Sequence, residues 1–273
     1  TLYELYQDAA TPWEWQPKLK TYAEKRGLFL FSTPFDDTSV DFLEKMDVRL
    51  YKVASYEITD IPLLRKIGKL GKPVILSRGL ASEQEVAEAV GALRQSGTSQ
   101  IAVLQCVDVY PAPAAEMNLA TIPDIVKRFG VVAGLSDHTL GVNVAVAAVA
   151  LGASIIEKHL TLSRSEGGPD ASFSLEPAEL AELVKAVREV EQALGKASYK
   201  IGKEESENLV FRRSLFVVAD IRKGEEFSAQ NVRAIRPGYG MSPKYFDKIL
   251  GKKSATSIKK GTPLTEELIE GKI

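Results

Sequence analysis

The sequence is poor in the residues that most often carry redox or nucleophilic chemistry. Its 273 residues include one cysteine, Cys106, which excludes a disulfide framework and fits a reducing, cytoplasmic compartment. Cys106 follows the apolar run 101–104, and its plain reading is a small core residue rather than a nucleophile. Charge of one sign is not in excess. Thirty-five basic and 36 acidic residues leave a formal net charge of −1, so neither nucleic acid nor an anionic membrane is an expected partner. No apolar run approaches the ~18 residues of a membrane-spanning helix. No G-x-G-x-x-G follows an apolar run, which argues against a dinucleotide-binding fold.

Histidine is scarce too, and its placement is informative. The only two, His138 and His159, each end a short apolar run that reads as a buried parallel strand. Alternate residues of a strand share a face, so Ser136 goes with His138 and Glu157 with His159. The segment 141–152 between them has the length of a crossover helix. A lone histidine is more often a hydrogen-bonded structural residue. Two at equivalent strand ends, where α/β folds and barrels place their chemistry, have a geometry that can share one metal ion.

A strand–helix rhythm runs through the first part of the chain. Apolar runs at 28–31, 50–54, 73–76, 101–104, 131–135 and 154–156 predict six parallel strands. Helices are expected at 38–46, 61–70, 82–95 and 177–194, with Ser82 as an N-cap and Leu180, Leu183, Val187, Val190 and Leu194 forming one apolar stripe. Polar residues after every run favour a barrel over an open doubly wound sheet. Eight strands close such a barrel, and residues 1–25 read as helix and loop. After residue 195 the character changes to a polar linker, 196–210, and then a small β domain, 211–273. That domain carries a weak repeat, I-R-K-G-E-E-F-S at 221–228 and I-K-K-G-T-P-L-T at 258–265, with Val232 and Ile269 at matching distances. The copies predict two hairpin-like units.

Several motifs in this order carry a resemblance: S-T-P-F-D, Y-K-V-A-S-Y-E-I-T-D-I-P-L, Q-C-x-x-x-Y-P, G-L-S-D-H-T-L-G, E-K-H, G-G-P-D-x-x-F-S-L, F-R-R-S-L and R-P-G-Y-G. Over nearly its full length the chain resembles the sialic acid synthase family, and E-I-T-D-I-P-L, F-S-L and R-P-G-Y-G tilt it toward the family's pseudaminate-forming branch. The resemblance implies a (β/α)8 TIM-type barrel, here lacking its first two strands, followed by an antifreeze-like (SAF) β-clip domain. It implies condensation of phosphoenolpyruvate with an N-acetylated amino sugar, a 2,4-diacetamido-2,4,6-trideoxy hexose, releasing phosphate. By the same resemblance His138 and His159 ligate a divalent metal, Mn2+ or Mg2+. Lys52, Thr33, Phe35, Ser55, Ser77, Asp108 and Ser136 line the substrate pocket. Tyr110 and Asp170 lie on the sugar side, and Glu57 and Glu157 are acid/base candidates. Arg236 would reach the sugar from the other subunit of a domain-swapped homodimer. The chain departs from the family pattern at Val107 and Asp108, where hydroxyl or amide residues are usual, and at Arg78, where threonine is usual. The alternatives are an N-acetylneuraminate or legionaminate synthase with the same chemistry, and a truncated, non-catalytic binding protein.

Overall fold

Short apolar runs form five parallel strands, β1 (Tyr51–Val53), β2 (Val74–Ser77), β3 (Ile101–Cys106), β4 (Val132–Asp137) and β5 (Ile156–Lys158), the last four each preceded by a glycine at positive φ. The computed structural model describes all residues from 1 to 273 except 2, 5, 6, 8 and 9. They divide into two units, Thr1–Gly195 and Lys196–Ile273. In the first, helices α1 (Gln16–Lys25) and α2 (Asp37–Lys45) precede the sheet. Helices α3 (Ile61–Gly68), α4 (Glu83–Ser96), α5 (Thr121–Phe129) and α6 (Asn143–Ala150) each join one strand to the next, and α7 (Pro177–Leu194) follows β5. Local chemistry sets the helix ends. Ser82 and Glu85 form a reciprocal capping box at the start of α4, and Gly130, in the left-handed conformation at φ 60°, terminates α5.

The strand order is β1-β2-β3-β4-β5. A doubly wound sheet would reverse its order at a switch point; here each crossover adds the next strand on the same side, as in a barrel. The sheet is also curled. Four inter-strand spacings would separate β1 from β5 by about 19 Å if the sheet were flat, yet Lys52 Nζ on β1 lies 3.6 Å from Glu157 Oε1 on β5. The unit has the parallel, curled sheet of a TIM-type barrel.

Alternation along each strand separates stability from chemistry. Tyr51, Val53, Leu76, Val103, Ala133 and Leu135 face the helices and are buried in one apolar core with Leu64, Ile67, Leu93 and Ile125. Lys52, Ser77, Cys106, Ser136 and Glu157 belong to the opposite face, where the register pairs Cys106 with Ser136 and Ser136 with Glu157. Gly134 is required on that face, because a Cβ there would meet Ile155 O and Leu104 Cδ2 at 2.5 Å.

Five strands form rather than the six expected. Residues 28–31 are not a strand: the segment offers β1 one backbone bond, Lys52 N to Ser32 O at 3.5 Å. A ladder needs repeated bonds, and the apolar side chains find little cover, with Leu28 63% and Phe29 59% exposed. Phe29 instead stacks under the Arg49 guanidinium, 4.0 Å from its ring centroid.

In the second unit β6 (Ser214–Val217) pairs antiparallel with β7 (Val232–Ile235). Residues 196–210 include a short helix, α8 (Lys203–Glu207), and α9 (Phe246–Ile249) lies further on. The repeat copies do not close hairpins of their own. Each offers too short a β run for a ladder, so they pair with one another: Ile221 N donates to Ile258 O at 2.9 Å and Ile258 N to Ile221 O at 2.8 Å. Matched positions of the copies, Ile221 with Ile258, Phe227 with Leu264 and Val232 with Ile269, share the core of this unit with Leu215, Val217 and Ile249.

Gly134→Ala should lower the stability of the first unit by about 1–3 kcal/mol through overpacking, read as a lower midpoint in denaturant unfolding. An unchanged midpoint would mean that β4 has room the close approach denies.

Candidate active site

The inner face of the curled sheet carries one buried cation. Lys52 is 7% exposed, and an ammonium in that position requires partners. Its Nζ donates to Ser77 Oγ at 2.8 Å and to Val53 O at 3.0 Å. Glu157 Oε1, which also accepts from Ser136 Oγ at 2.7 Å, provides the counter-charge. Burial lowers the Lys52 pKa, and Glu157 opposes that shift. Ser55 adds a hydroxyl to the same pocket, its Oγ accepting from Gly79 N at 3.2 Å.

Beside the lysine pocket stand both imidazoles. His138 follows β4 and His159 follows β5, and their ring centroids are 5.3 Å apart. His138 Nδ1 lies 2.9 Å from the Val107 carbonyl. A carbonyl can only accept, so Nδ1 carries the hydrogen and Nε2 keeps its lone pair. His159 Nδ1 lies 3.5 Å from Asp170 Oδ2; burial lowers its pKa, with Asp170 pulling the other way. Tyr110 lies over His138 at 4.2 Å between centroids, and Phe173 lies 5.1 Å from His159. Burial raises the Tyr110 phenol well above its ordinary value, so it remains a neutral wall with a hydroxyl tip.

Asp108 enters this site with one oxygen bonded and the other not: its Oδ1 accepts from the Cys106 thiol at 3.4 Å, while its buried Oδ2 has no hydrogen-bond partner. It reaches this position over Gly79, where a Cβ would lie 1.7 Å from Oδ2. Burial, reinforced by Asp108, pushes the Cys106 thiol up to about 12. Glu57, on the 3-10 turn after β1, also has a buried unpartnered oxygen, Oε2, and burial raises its pKa. A cavity of about 810 Å3, lined in part by Arg78, Gly79, Cys106 and Asp108, opens alongside.

The structure thus brings together Lys52, Ser77, Ser136 and Glu157 in one cluster, and Tyr110, His138, His159 and Asp170 in a second. Ser55, Asp108 and Cys106 form a third group that reaches both Gly79 and His138. Thr33 and the exposed Phe35 lie in the loop before α2, and Arg236 lies exposed after β7 in the second unit. Sequence reasoning passed over Lys158 and Asp137. Their register pairing on the helix-facing side of β4 and β5 puts Lys158 Nζ 2.8 Å from Asp137 Oδ2, with side chains 3% and 0% exposed. Lys158 also donates to the Thr139 carbonyl, so the pair holds the turn that presents His138. A lysine in the strand-end triplet E-K-H was the available signal. Cys106 was read as core filling; its place on the polar face became visible only with the register.

The donor set fits a divalent cation: two imidazoles with ring centroids 5.3 Å apart, one with its free nitrogen defined by tautomer. A parallel curled sheet that presents a buried lysine, hydroxyls and an imidazole pair at its strand ends defines a barrel enzyme site for an anionic substrate. The chain belongs to the NeuB family, whose model matches residues 1–199, and a SAF domain matches residues 212–270. It is 40% identical over 265 residues to the pseudaminic acid synthase of Campylobacter jejuni, covering 97% of this chain and 77% of that one. It is likewise 40% identical over 252 residues to the N,N'-diacetyllegionaminic acid synthase of the same organism, covering 91% and 75%. The crystal structure of the Bacillus subtilis spore coat polysaccharide biosynthesis protein spsE matches all of this chain and 82% of its own, at 35% identity and a TM-score of 0.66. Among the described residues, no helix is long and apolar enough to cross a membrane.

Breaking the Asp137–Lys158 pair from one side, by Asp137→Ala or Lys158→Met, should cost about 3–5 kcal/mol in denaturant unfolding. The double variant Asp137→Leu, Lys158→Met should recover most of that loss, because neither charge is then buried alone.

Proposed function

We propose that this chain condenses phosphoenolpyruvate with a 2,4-diacetamido-2,4,6-trideoxy hexose to give pseudaminic acid and phosphate in a reducing cytoplasm. The observation that carries the reading is Lys52, a buried cation ringed by hydroxyls, facing the imidazole pair across the strand ends. Phosphoenolpyruvate needs charge-assisted donors, and Lys52 with Ser55, Ser77 and Ser136 supplies them. Thr33 and Phe35 extend that pocket from the loop before α2. C3 of phosphoenolpyruvate attacks the sugar aldehyde, a water oxygen bonds to C2 as positive charge develops there, and the C2–O bond to phosphate breaks to leave the 2-keto acid. Glu57, whose carboxyl is raised by burial, is suited to hold a proton for these steps, and Glu157 fixes the Lys52 ammonium. Tyr110 and Asp170 position the sugar beside His159.

His138 and His159 would hold the divalent metal, and two imidazoles with oxygen co-ligands suit Mn2+ or Mg2+. Bound there, the ion supplies Lewis-acid polarisation of the aldehyde. Equal identity to the pseudaminic and legionaminic acid synthases leaves the sugar to experiment: phosphate release should be fastest with the pseudaminate precursor among the candidate sugars, and no release with any of them would overturn the reading. Lys52→Met should cost about 2–5 kcal/mol in kcat/KM for phosphoenolpyruvate, as expected for a buried charged contact.

The second unit enters through Arg236, which we place at the sugar of the partner subunit's site in a domain-swapped homodimer. Arg236→Ala and His138→Ala chains, each inactive alone, should regain turnover when mixed, because one hybrid site then holds both intact residues. Mixed dimers verified by mass spectrometry and lacking turnover would place Arg236 outside the partner's site. Calorimetry with Mn2+ should show binding lost in His138→Ala and His159→Ala.

A further inference from the structure

Three donors of different chemistry converge at the ends of β3 and β4: the Cys106 thiol, the Asp108 carboxylate and the His138 imidazole. The Cys106 Sγ, an Asp108 carboxylate oxygen and a ring nitrogen of His138 all lie within 4.8 Å of one another. We propose that they form a site for a thiophilic divalent cation of the Zn2+ class, an alternative to the imidazole pair because both need the one free ring nitrogen of His138. The site stands on this geometry alone, whatever reaction the chain performs.

The backbone register builds it. Cys106 pairs with Ser136 across β3 and β4, so Asp108 and His138, each two residues further on, fall opposite one another. Cys106 is 2% and His138 5% exposed, which holds both in place. With the Nδ1 hydrogen of His138 committed to the Val107 carbonyl, Nε2 is the nitrogen left to coordinate. The thiol hydrogen now lies between Cys106 Sγ and Asp108 Oδ1, 3.4 Å apart. A cation takes that hydrogen's place, the proton passing to solvent, and is held by the Cys106 thiolate and the Asp108 carboxylate.

The second observation is Asp108 Oδ2, buried and without a partner. A carboxylate oxygen left that way is costly unless a cation or donor meets it, and Gly79 is the residue that lets it tuck in. Thiolate, carboxylate and imidazole together select Zn2+ over Mg2+ or Ca2+, which prefer oxygen alone. Three protein ligands leave a fourth tetrahedral position for water or substrate, and the cavity lined by Cys106 and Asp108 gives a path to it.

Cobalt provides the test, because Cys106 is the only thiol in the sequence. Titrating the metal-free full chain with Co2+ in a phosphine reductant should produce a thiolate-to-cobalt charge-transfer band in the near ultraviolet, saturating at one equivalent and bleached by Zn2+. Cys106→Ser should abolish the band while its far-ultraviolet circular dichroism stays that of the parent. Asp108→Ala and His138→Gln should each weaken Co2+ binding by at least about tenfold, taking outer-shell losses as a lower bound. His159→Ala should keep the band, although it removes a ligand of the imidazole pair. Co2+ binding without the band, no Co2+ binding, or a band indifferent to Asp108 and His138 would each overturn the proposal. A band kept by a His159→Ala chain that no longer binds Mn2+ separates this site from the proposed catalytic metal.

Discussion

A lysine ammonium buried on the inner face of a parallel sheet is the constraint on which the first unit depends. Lys52 would be costly there without a counter-charge, and its counter-charge comes from Glu157, on the far strand of the sheet. The contact is possible only because the sheet curls until its two outer strands bring their side chains together. Ser77 from β2 and Ser136 from β4 complete the arrangement, so one charge is answered from four strands. Electrostatic satisfaction and barrel curvature are therefore the same fact seen at two scales.

The strand alternation that makes this affordable also keeps folding and chemistry apart. Residues such as Val53, Leu76, Val103 and Leu135 face the helices in the apolar core, while Lys52, Ser77, Ser136 and Glu157 lie on the inward face. A charged pair on the helix side, Asp137 with Lys158, is a buried ion pair whose net contribution to stability is small by the usual balance of desolvation against attraction. Its value is positional, because Asp137 Oδ1 also accepts from Thr139 N at 2.9 Å, fixing the backbone on either side of His138.

Polar atoms left without partners mark where the inner face is unfinished as a structure and available as a site. Glu57 Oε2 and Asp108 Oδ2 are buried and unbonded, on the loops that leave the C-terminal ends of β1 and β3. Nothing in the packing of the core calls for them. An aspartate next to a lysine-lined anion pocket opposes a phosphate ligand, which makes the neighbouring thiol and imidazole significant as partners for a cation that would neutralise it.

Much was determined by local sequence. Apolar runs located five strands, Ser82 with Glu85 located the start of a helix, the stripe from Leu180 to Leu194 predicted α7 at its observed bounds, and the 37-residue offset of the repeat predicted a small unit built from two related copies. These depend on periodicity and capping, which act within a few residues. The resemblance added Lys52 and the histidine pair as a set. Tertiary structure alone decided that residues 28–31 form no ladder, that the repeat copies pair with each other, that Lys158 meets Asp137, and that Cys106, buried as expected, stands beside Asp108 and His138. Each of these depends on the register between segments distant in the chain or on the curl of the sheet. A one-residue shift in register sends a side chain to the other face, and no local pattern in the sequence records which register wins.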